Sequence, residues 1–263
     1  MTESSGLVGS RRNPGFYWTH NDSGDGPFLY CLGGRGEACG VWSVAGAGAR
    51  DWEDIAAGPG PVPGHTYLYI GDIGDNLDDQ EQVTVYRVAE PAVGPGHGGP
   101  SRAAPGFTEQ AEALPLTFPD GPHNAEALLV HPLTGDLYVV TKGPRPAVYV
   151  GRAPLRPGVV NGLAHVAVLA LGDGDDRTAR VTGGDVSPDG RRVALCTYGD
   201  GYEFEAPPGE PFDAAWQQQP ARFPLGFRAV GEAIAYRLDG EALLTTSEDP
   251  FGLGAPLQQV ERR

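Results

Sequence analysis

Five passages of this chain share one plan, and that repetition constrains the fold more than any other feature. A short apolar strand leads through a glycine-containing turn to a second apolar strand that ends in polar residues. The passages are SSGLVGSRRNPGFYWTHND, DWEDIAAGPG with TYLYIGDIGDN, NAEALLVHPLTGDLYVVTKG, VTGGDVSPDGRRVALCTYGDG and EAIAYRLDGEALLTTSED. Equivalent positions near the start of the first strand are Ser5, Glu53, Glu126, Thr182 and Glu232, at intervals of 48, 73, 56 and 50 residues. Segments such as VTVYRVAEP, FTEQAEALPLTF and LAHVAVLAL supply further strands. About four strands per unit, repeating every ~40–50 residues, is the signature of a β-propeller, in which each unit buries its faces by stacking on its neighbours.

The expected fold is therefore all-β: a single five-bladed β-propeller domain over 1–263, with about four antiparallel strands per blade. The longest interval holds a Gly/Pro-rich insert at 92–106, read as a surface excursion. Forty glycines and 25 prolines, spread along the chain, agree with many tight turns and disfavour long helices. A pair of β-sandwiches, the competing arrangement, leaves the repeated unit unexplained. Two points stay open. In the fourth unit, aligning SPDG with RLDG places Thr182 opposite Glu232, whereas aligning the first apolar residues favours Gly184 and Asp185. The fifth blade either has three strands or is completed by a longer N-terminus in some relative.

A net charge of −15 makes nucleic acid and anionic membranes poor partners and suits cations, so the expected partner is a small polar molecule or another protein, with the chain itself a monomer. No stretch reads as a membrane span or an apolar leader, which implies a cytoplasmic protein or one whose export segment has been removed. Cys31 and Cys39 flank GGRG symmetrically, a cross-strand spacing that permits a disulfide without requiring one; Cys196, in an apolar run, reads as a buried thiol.

Propeller geometry says where chemistry belongs. The innermost strand of each blade lines the centre, and its start opens on the same face as the end of the following strand. Ser5, Glu53, Glu126, Glu232 and either Thr182 or Asp185 are thus expected near the axis, with Asn21, Asp22, Asp72, Asp75, Lys142, Tyr198 and Glu248 around them. Crowded carboxylates repel one another and lose hydration unless protons or cations neutralise them. A ring of hard oxygen donors suits Ca²⁺, which takes about six to eight oxygens, better than Zn²⁺. The plainer alternative is that each Glu caps a turn or pairs with Arg50 or Arg228.

The same logic extends to other residues. Lys142, the only lysine, ends VVTKG where neighbouring units end in acids, and reads as an anchor for phosphate or carboxylate or as a counter-charge to Glu126. Asn21, Trp18 and Tyr198 are candidate ligand contacts, the aromatics as a wall for a ring or sugar, with Tyr202 beside them. Asp22, Asp72 and Glu248 are candidate bases, and His20 and His123 candidate proton carriers. Asp51 and Asp54 are assigned turn and capping roles. NDSGDG at 21–26 resembles half an EF-hand loop, but Leu32 stands where the bidentate acid belongs, so it reads as an Asx turn. DGDD at 173–176 reads as a solvated turn or a peripheral cation site.

With DWEDIA, LYIGDIGDN, NAEALL, VTGGDVSPDG and GEAIAY, the chain resembles bacterial propeller proteins of undefined function over nearly its whole length. Its ring is also similar to that of the calcium-dependent apyrases, five-bladed nucleotidases with a Glu/Ser ring around Ca²⁺. That resemblance implies a central Ca²⁺ near Ser5, Glu53, Glu126, Thr182 and Glu232. The chain departs from those enzymes in its few basic residues for phosphates, Lys142 and Arg228 aside, which separates the metal from nucleotidase activity. Serine-hydrolase elbows, Walker loops and dinucleotide fingerprints are absent. Two functions follow: a ligand-binding or interaction scaffold with a Ca²⁺-bearing acidic funnel, or a metal-dependent hydrolase of small phosphorylated or ester substrates.

Overall fold

The structure, a computed structural model, describes residues 4–22, 24–94, 99–172, 177–226, 228, 230–248 and 257–261, the side chains of 177, 248 and 261 excepted. The DGDD segment at 173–176 lies outside the described residues.

Five small sheets follow one another along the chain. The first joins β1 (Ser4–Gly9), β2 (Phe16–Asn21), β3 (Phe28–Gly33) and β4 (Ala38–Ser43). The second contains β5 (Trp52–Pro59), β6 (Thr66–Asp72), β7 (Val83–Ala89) and β9 (Glu112–Thr117). Between β7 and β9 the insert contributes β8 (Gly106–Phe107), which pairs in parallel with β4 and widens the first sheet. The third sheet is β10 (Ala125–Val130), β11 (Leu137–Thr141), β12 (Ala147–Gly151) and β14 (Ala164–Val168); the short β13 (Asn161–Gly162) caps β9 of the second. The fourth is β15 (Val181–Val186), β16 (Arg192–Thr197), β17 (Asp200–Glu205) and β18 (Ala221–Pro224). The fifth has three strands among the described residues: β19 (Val230–Tyr236), β20 (Ala242–Glu248) and β21 (Gln258–Glu261). This is the expected five-bladed propeller.

The inner strands form a closed ring in which β1 lies against β5, β5 against β10, β10 against β15, β15 against β19, and β19 against β1. Burial follows from that position. Every residue of β1, β10 and β15 is buried, because neighbouring blades cover both faces, whereas β7 further out is only partly buried at Thr84, Tyr86 and Ala89. The first and last blades close on one another by packing and by a 3.1 Å hydrogen bond from Ser4 Oγ to Thr246 Oγ1.

Each inner strand is bulged at the same place. Pairing skips Glu53, Glu126, Thr182 and Glu232 one at a time, and skips Ser5 with Gly6 in β1. A bulged residue is left out of the ladder and its side chain is re-aimed. The bulges settle the fourth unit: Thr182 is the equivalent of the three glutamates, and Asp185 is not. Gly183, which follows Thr182, permits the close approach of the next blade, since a Cβ there would lie 2.6 Å from Glu232 O.

Two buried aspartates tie the ring together. Asp54 accepts Ile55 N–H (2.8 Å) on its own strand, Leu128 N–H (3.0 Å) on β10 and Gly184 N–H (3.1 Å) on β15. Burial nevertheless raises its pKa well above the usual range. Asp185 accepts Val186 N–H (2.8 Å) and Tyr236 N–H (2.9 Å), so it joins β15 to β19, and burial pushes its carboxyl up to about 7. Asp54 is thus a strut of the fold rather than a turn cap, and Asp185 sits among backbone donors rather than in the ring of bulged residues.

The thiols of Cys31, Cys39 and Cys196 are all free and buried. Asp25 accepts Asn21 Nδ2–H (3.0 Å) and the Tyr30 hydroxyl (2.6 Å), closing the NDSGDG turn on itself.

Asp54→Ala leaves two buried N–H groups on other blades without an acceptor. The expected cost is about 3 kcal/mol or more, a fall in Tm of roughly 6–12 °C for a chain of this size. Circular-dichroism melting checks it, and an unchanged Tm would contradict the role assigned to Asp54.

Candidate functional site

The bulged residues divide into two kinds. Ser5 Oγ donates to Glu53 O (2.8 Å) and Thr182 Oγ1 to Gly231 O (2.8 Å), so both hydroxyls are spent on holding adjacent blades together. Glu53, Glu126 and Glu232 bring buried carboxyls to the same ring. Glu126 lies 2.5 Å from Lys142 Nζ and also shares a hydrogen bond with Glu53. Burial outweighs the attraction of Lys142 and leaves the Glu126 carboxyl raised to about 7. Burial likewise opposes the charge on Lys142, but Glu126 and the Tyr198 hydroxyl more than reverse it, so the ammonium is held charged. Lys142 is therefore the counter-charge foreseen for the ring, and its ammonium lies 5.5 Å from the Tyr198 ring centre.

Among the described residues, three acids gather on the rim between the first two blades. Carboxylate oxygens of Asp22, Asp51 and Glu53 fall within 4.8 Å of one another. Asp22 follows β2 and Asp51 precedes β5, so the cluster forms where one blade's second strand ends beside the next blade's first. Gly74 completes the place: a Cβ there would meet Asp51 Oδ2 and Glu53 Oε1, both at 2.3 Å, so the backbone passes close beside both carboxylates and a larger residue would displace them. Glu53 is raised well above the normal range by burial and then by the charges of Glu126, Asp22 and Asp51. Asp51 is raised by burial and by Asp22. Asp51, read from the sequence as a turn or capping residue, lies outside the repeat's equivalent position, yet its carboxylate reaches this cluster.

The other candidates fall as follows. Asp72 accepts Asp51 N–H (2.9 Å) and Arg50 N–H (3.4 Å), a clamp that presents Asp51 rather than a base facing the funnel. Asp75 accepts Gln80 N–H (2.8 Å) and is likewise a turn former. Trp18 is fully buried, donates to Glu90 Oε1 (2.9 Å) and stacks edge-on against Trp42, so it belongs to the packing between blades and not to a ligand wall. Tyr202 is core as well. His20 is buried and donates through Nδ1 to Asn21 O (2.9 Å); burial lowers its pKa, which keeps it neutral. Asn21 is bound to Asp25. Glu248 pairs through its backbone with Val230, and its side chain lies outside the described residues.

A polar cleft of about 560 Å³ adjoins this rim. Lys142, Tyr198, His123 and Asn124 line it, together with Arg145 and Arg180, which sequence reasoning passed over because neither sits in a repeated position. His123 is fixed by Asp120 Oδ1 (3.0 Å) and the Tyr149 hydroxyl (2.9 Å).

No protein-family pattern matches the chain, and no curated protein does. Among solved structures, similar chains include a Bacteroides fragilis protein assigned provisionally as a 6-phosphogluconolactonase, at 11% identity and a TM-score of 0.49, covering 98% of this chain and 80% of that one. A chain of a nidogen–laminin complex is similar at 12% identity and a TM-score of 0.48, covering 94% of this chain and 72% of that one. No helix among the described residues is long and apolar enough to cross a membrane.

Lys142→Met removes the counter-charge of a buried carboxyl, with an expected loss of about 3 kcal/mol at pH 8. Because the folded-state pKa of Glu126 is raised, its protonated form favours the folded protein at low pH and that contribution fades as pH rises through about 7. The penalty of Lys142→Met should therefore grow from pH 5 to pH 8. Adding Glu126→Gln should recover most of it; denaturant melts of the single and double variants measure both.

Proposed function

We propose that this propeller binds a divalent cation, Ca²⁺ by the chemistry of its donors, through Asp22, Asp51 and Glu53, and that its funnel receives a small polar ligand. The protein is then a ligand-binding or interaction scaffold within a single propeller domain. The observation that carries the reading is the convergence of three carboxylates on the cradle beside Gly74. The donor set is all hard oxygen, with no histidine or cysteine in the cluster, which favours Ca²⁺ over Zn²⁺. The raised pKa values of Glu53 and Asp51 reflect burial together with mutual repulsion, and a cation relieves the repulsion. Of the ring proposed from sequence, Glu53 remains a direct ligand. Ser5, Glu126, Thr182 and Glu232 surround it, and Asp185 lies with the struts.

Hydrolysis of a small phosphorylated or ester substrate is the second reading, favoured by the substrate-sized cleft beside the acid cluster. In it a cation held by the acid cluster would supply Lewis-acid polarisation of the scissile group, and Asp22 is the candidate base. Turnover of phosphomonoesters or lactones that depends on Ca²⁺ and disappears in Asp22→Asn supports this reading; no turnover leaves the binding protein.

Calorimetric titration of chelator-treated protein with Ca²⁺ tests the metal. One site is expected, with a higher Tm on loading and affinity weakened by about tenfold or more in Asp51→Asn. Since Glu53 and Asp51 hold protons more tightly than ordinary carboxyls, protons compete with the cation, and affinity should rise from pH 5 to pH 8. An absence of heat and of any thermal shift overturns the proposal.

A further inference from the structure

The chain has 34 acidic residues against 19 basic ones, yet the cleft beside the rim gathers three cations from two segments, the β11–β12 turn and the approach to β15. Lys142 follows β11, Arg145 lies in the turn to β12, and Arg180 precedes β15. Among the described residues one acid lines the cleft, Asp78, and its Oδ1 accepts Asn124 N–H (2.8 Å). Arg145 and Arg180 form no ion pair or hydrogen bond with a described side chain, unlike eight other arginines, Arg50, Arg87 and Arg102 among them, that pair with carboxylates. An ammonium has three N–H bonds; Glu126 Oε1 lies 2.5 Å from Lys142 Nζ and takes one of them, and the others can reach a ligand.

Size and lining narrow the occupant. A volume of about 560 Å³ is that of a small-molecule site. The walls are polar, with Asn76, Asn124 and Tyr198 able to meet hydroxyl groups, which suits a hydrophilic anion over an apolar one. The cleft is also wired to the acid cluster, since Asn124 Nδ2–H donates to Asn76 Oδ1 (3.3 Å) and Asn76 Nδ2–H to Asp51 Oδ2 (3.5 Å).

We propose that this cleft binds a small phosphate monoester, its phosphate held among Lys142, Arg145 and Arg180 and its hydroxyl-bearing part toward Asn76 and Asn124. An ammonium held by Glu126 and two forked guanidinium donors match the charge and tetrahedral oxygens of a phosphate. The proposal deepens the small-ligand reading above, on which it rests. It does not require the cation, because the basic groups stand on the third and fourth blades and the acid cluster on the first and second.

The test is a titration with glycerol 3-phosphate, inorganic phosphate, succinate and glycerol in the presence of a chelator, read by calorimetry. Both phosphates should bind, with affinity falling as salt is raised, and glycerol should not. The double variant Arg145→Gln/Arg180→Gln should weaken binding by about tenfold or more with an unchanged Tm. Arg35→Gln, an exposed arginine between β3 and β4, should leave it intact. Absence of phosphate binding, equal affinity in the double variant, or succinate binding as tightly as glycerol 3-phosphate overturns the proposal. Calcium titration of the same double variant keeps the two readings separate: Ca²⁺ bound without phosphate sinks only the cleft, and phosphate bound without Ca²⁺ sinks only the metal.

Discussion

A propeller's inner strands pair on one edge and turn the other toward the axis, so the backbone groups on that edge need partners that no sixth strand supplies. Here side chains provide them. Asp54 takes N–H groups from β10 and β15, Asp185 takes one from β19, and Ser5 and Thr182 donate to carbonyls of the following blade. Asp54 is the most consequential because it links three strands of a ring of five. A carboxylate that cannot move without stranding two N–H groups on other blades fixes the distance between them.

Those struts also explain how the acids are layered. Asp54 and Asp185 satisfy the ring's interior, while the glutamates one residue before Asp54 and at the matching bulges in β10 and β19 are re-aimed out of the ladder. The rim then polarises across the axis. Asp22, Asp51 and Glu53 gather between the first two blades, and Lys142, Arg145 and Arg180 gather on the third and fourth. Glu126, bound to both Glu53 and Lys142, is the joint between these regions. A cation on one side and an anion on the other would each reduce the field that the other experiences, which is why the two proposed sites are neighbours by physics as well as by position.

Much of this was legible in the sequence. The acid–strand–turn–strand grammar gave the five blades, and the spacing of Ser5, Glu53, Glu126 and Glu232 marked four of the five positions at which the inner strands are bulged. Thr182 and Asp185 could not be separated because apolar alignment does not register a bulge, which adds a residue without changing the pattern on either side. Lys142 stood out through its unlike chemistry. Asp54 looked like a capping residue since its partners lie 74 and 130 positions away, and no local pattern encodes a contact between blades. Trp18 looked like a funnel wall because strand ends hold both ligand contacts and packing; its indole N–H had a buried partner in Glu90, 72 positions on. Asp51 and Arg180 lie just before inner strands, where loop length rather than periodicity sets direction.

The central claim is that a divalent cation is held off the axis, by the first two blades. Crystals grown with Mn²⁺ in place of Ca²⁺ test it by anomalous scattering. The account predicts one strong peak at roughly 2.2–2.6 Å from oxygens of Asp22, Asp51 and Glu53, lost in Asp51→Asn. A peak on the axis among Glu53, Glu126 and Glu232, or no peak at all, would contradict it.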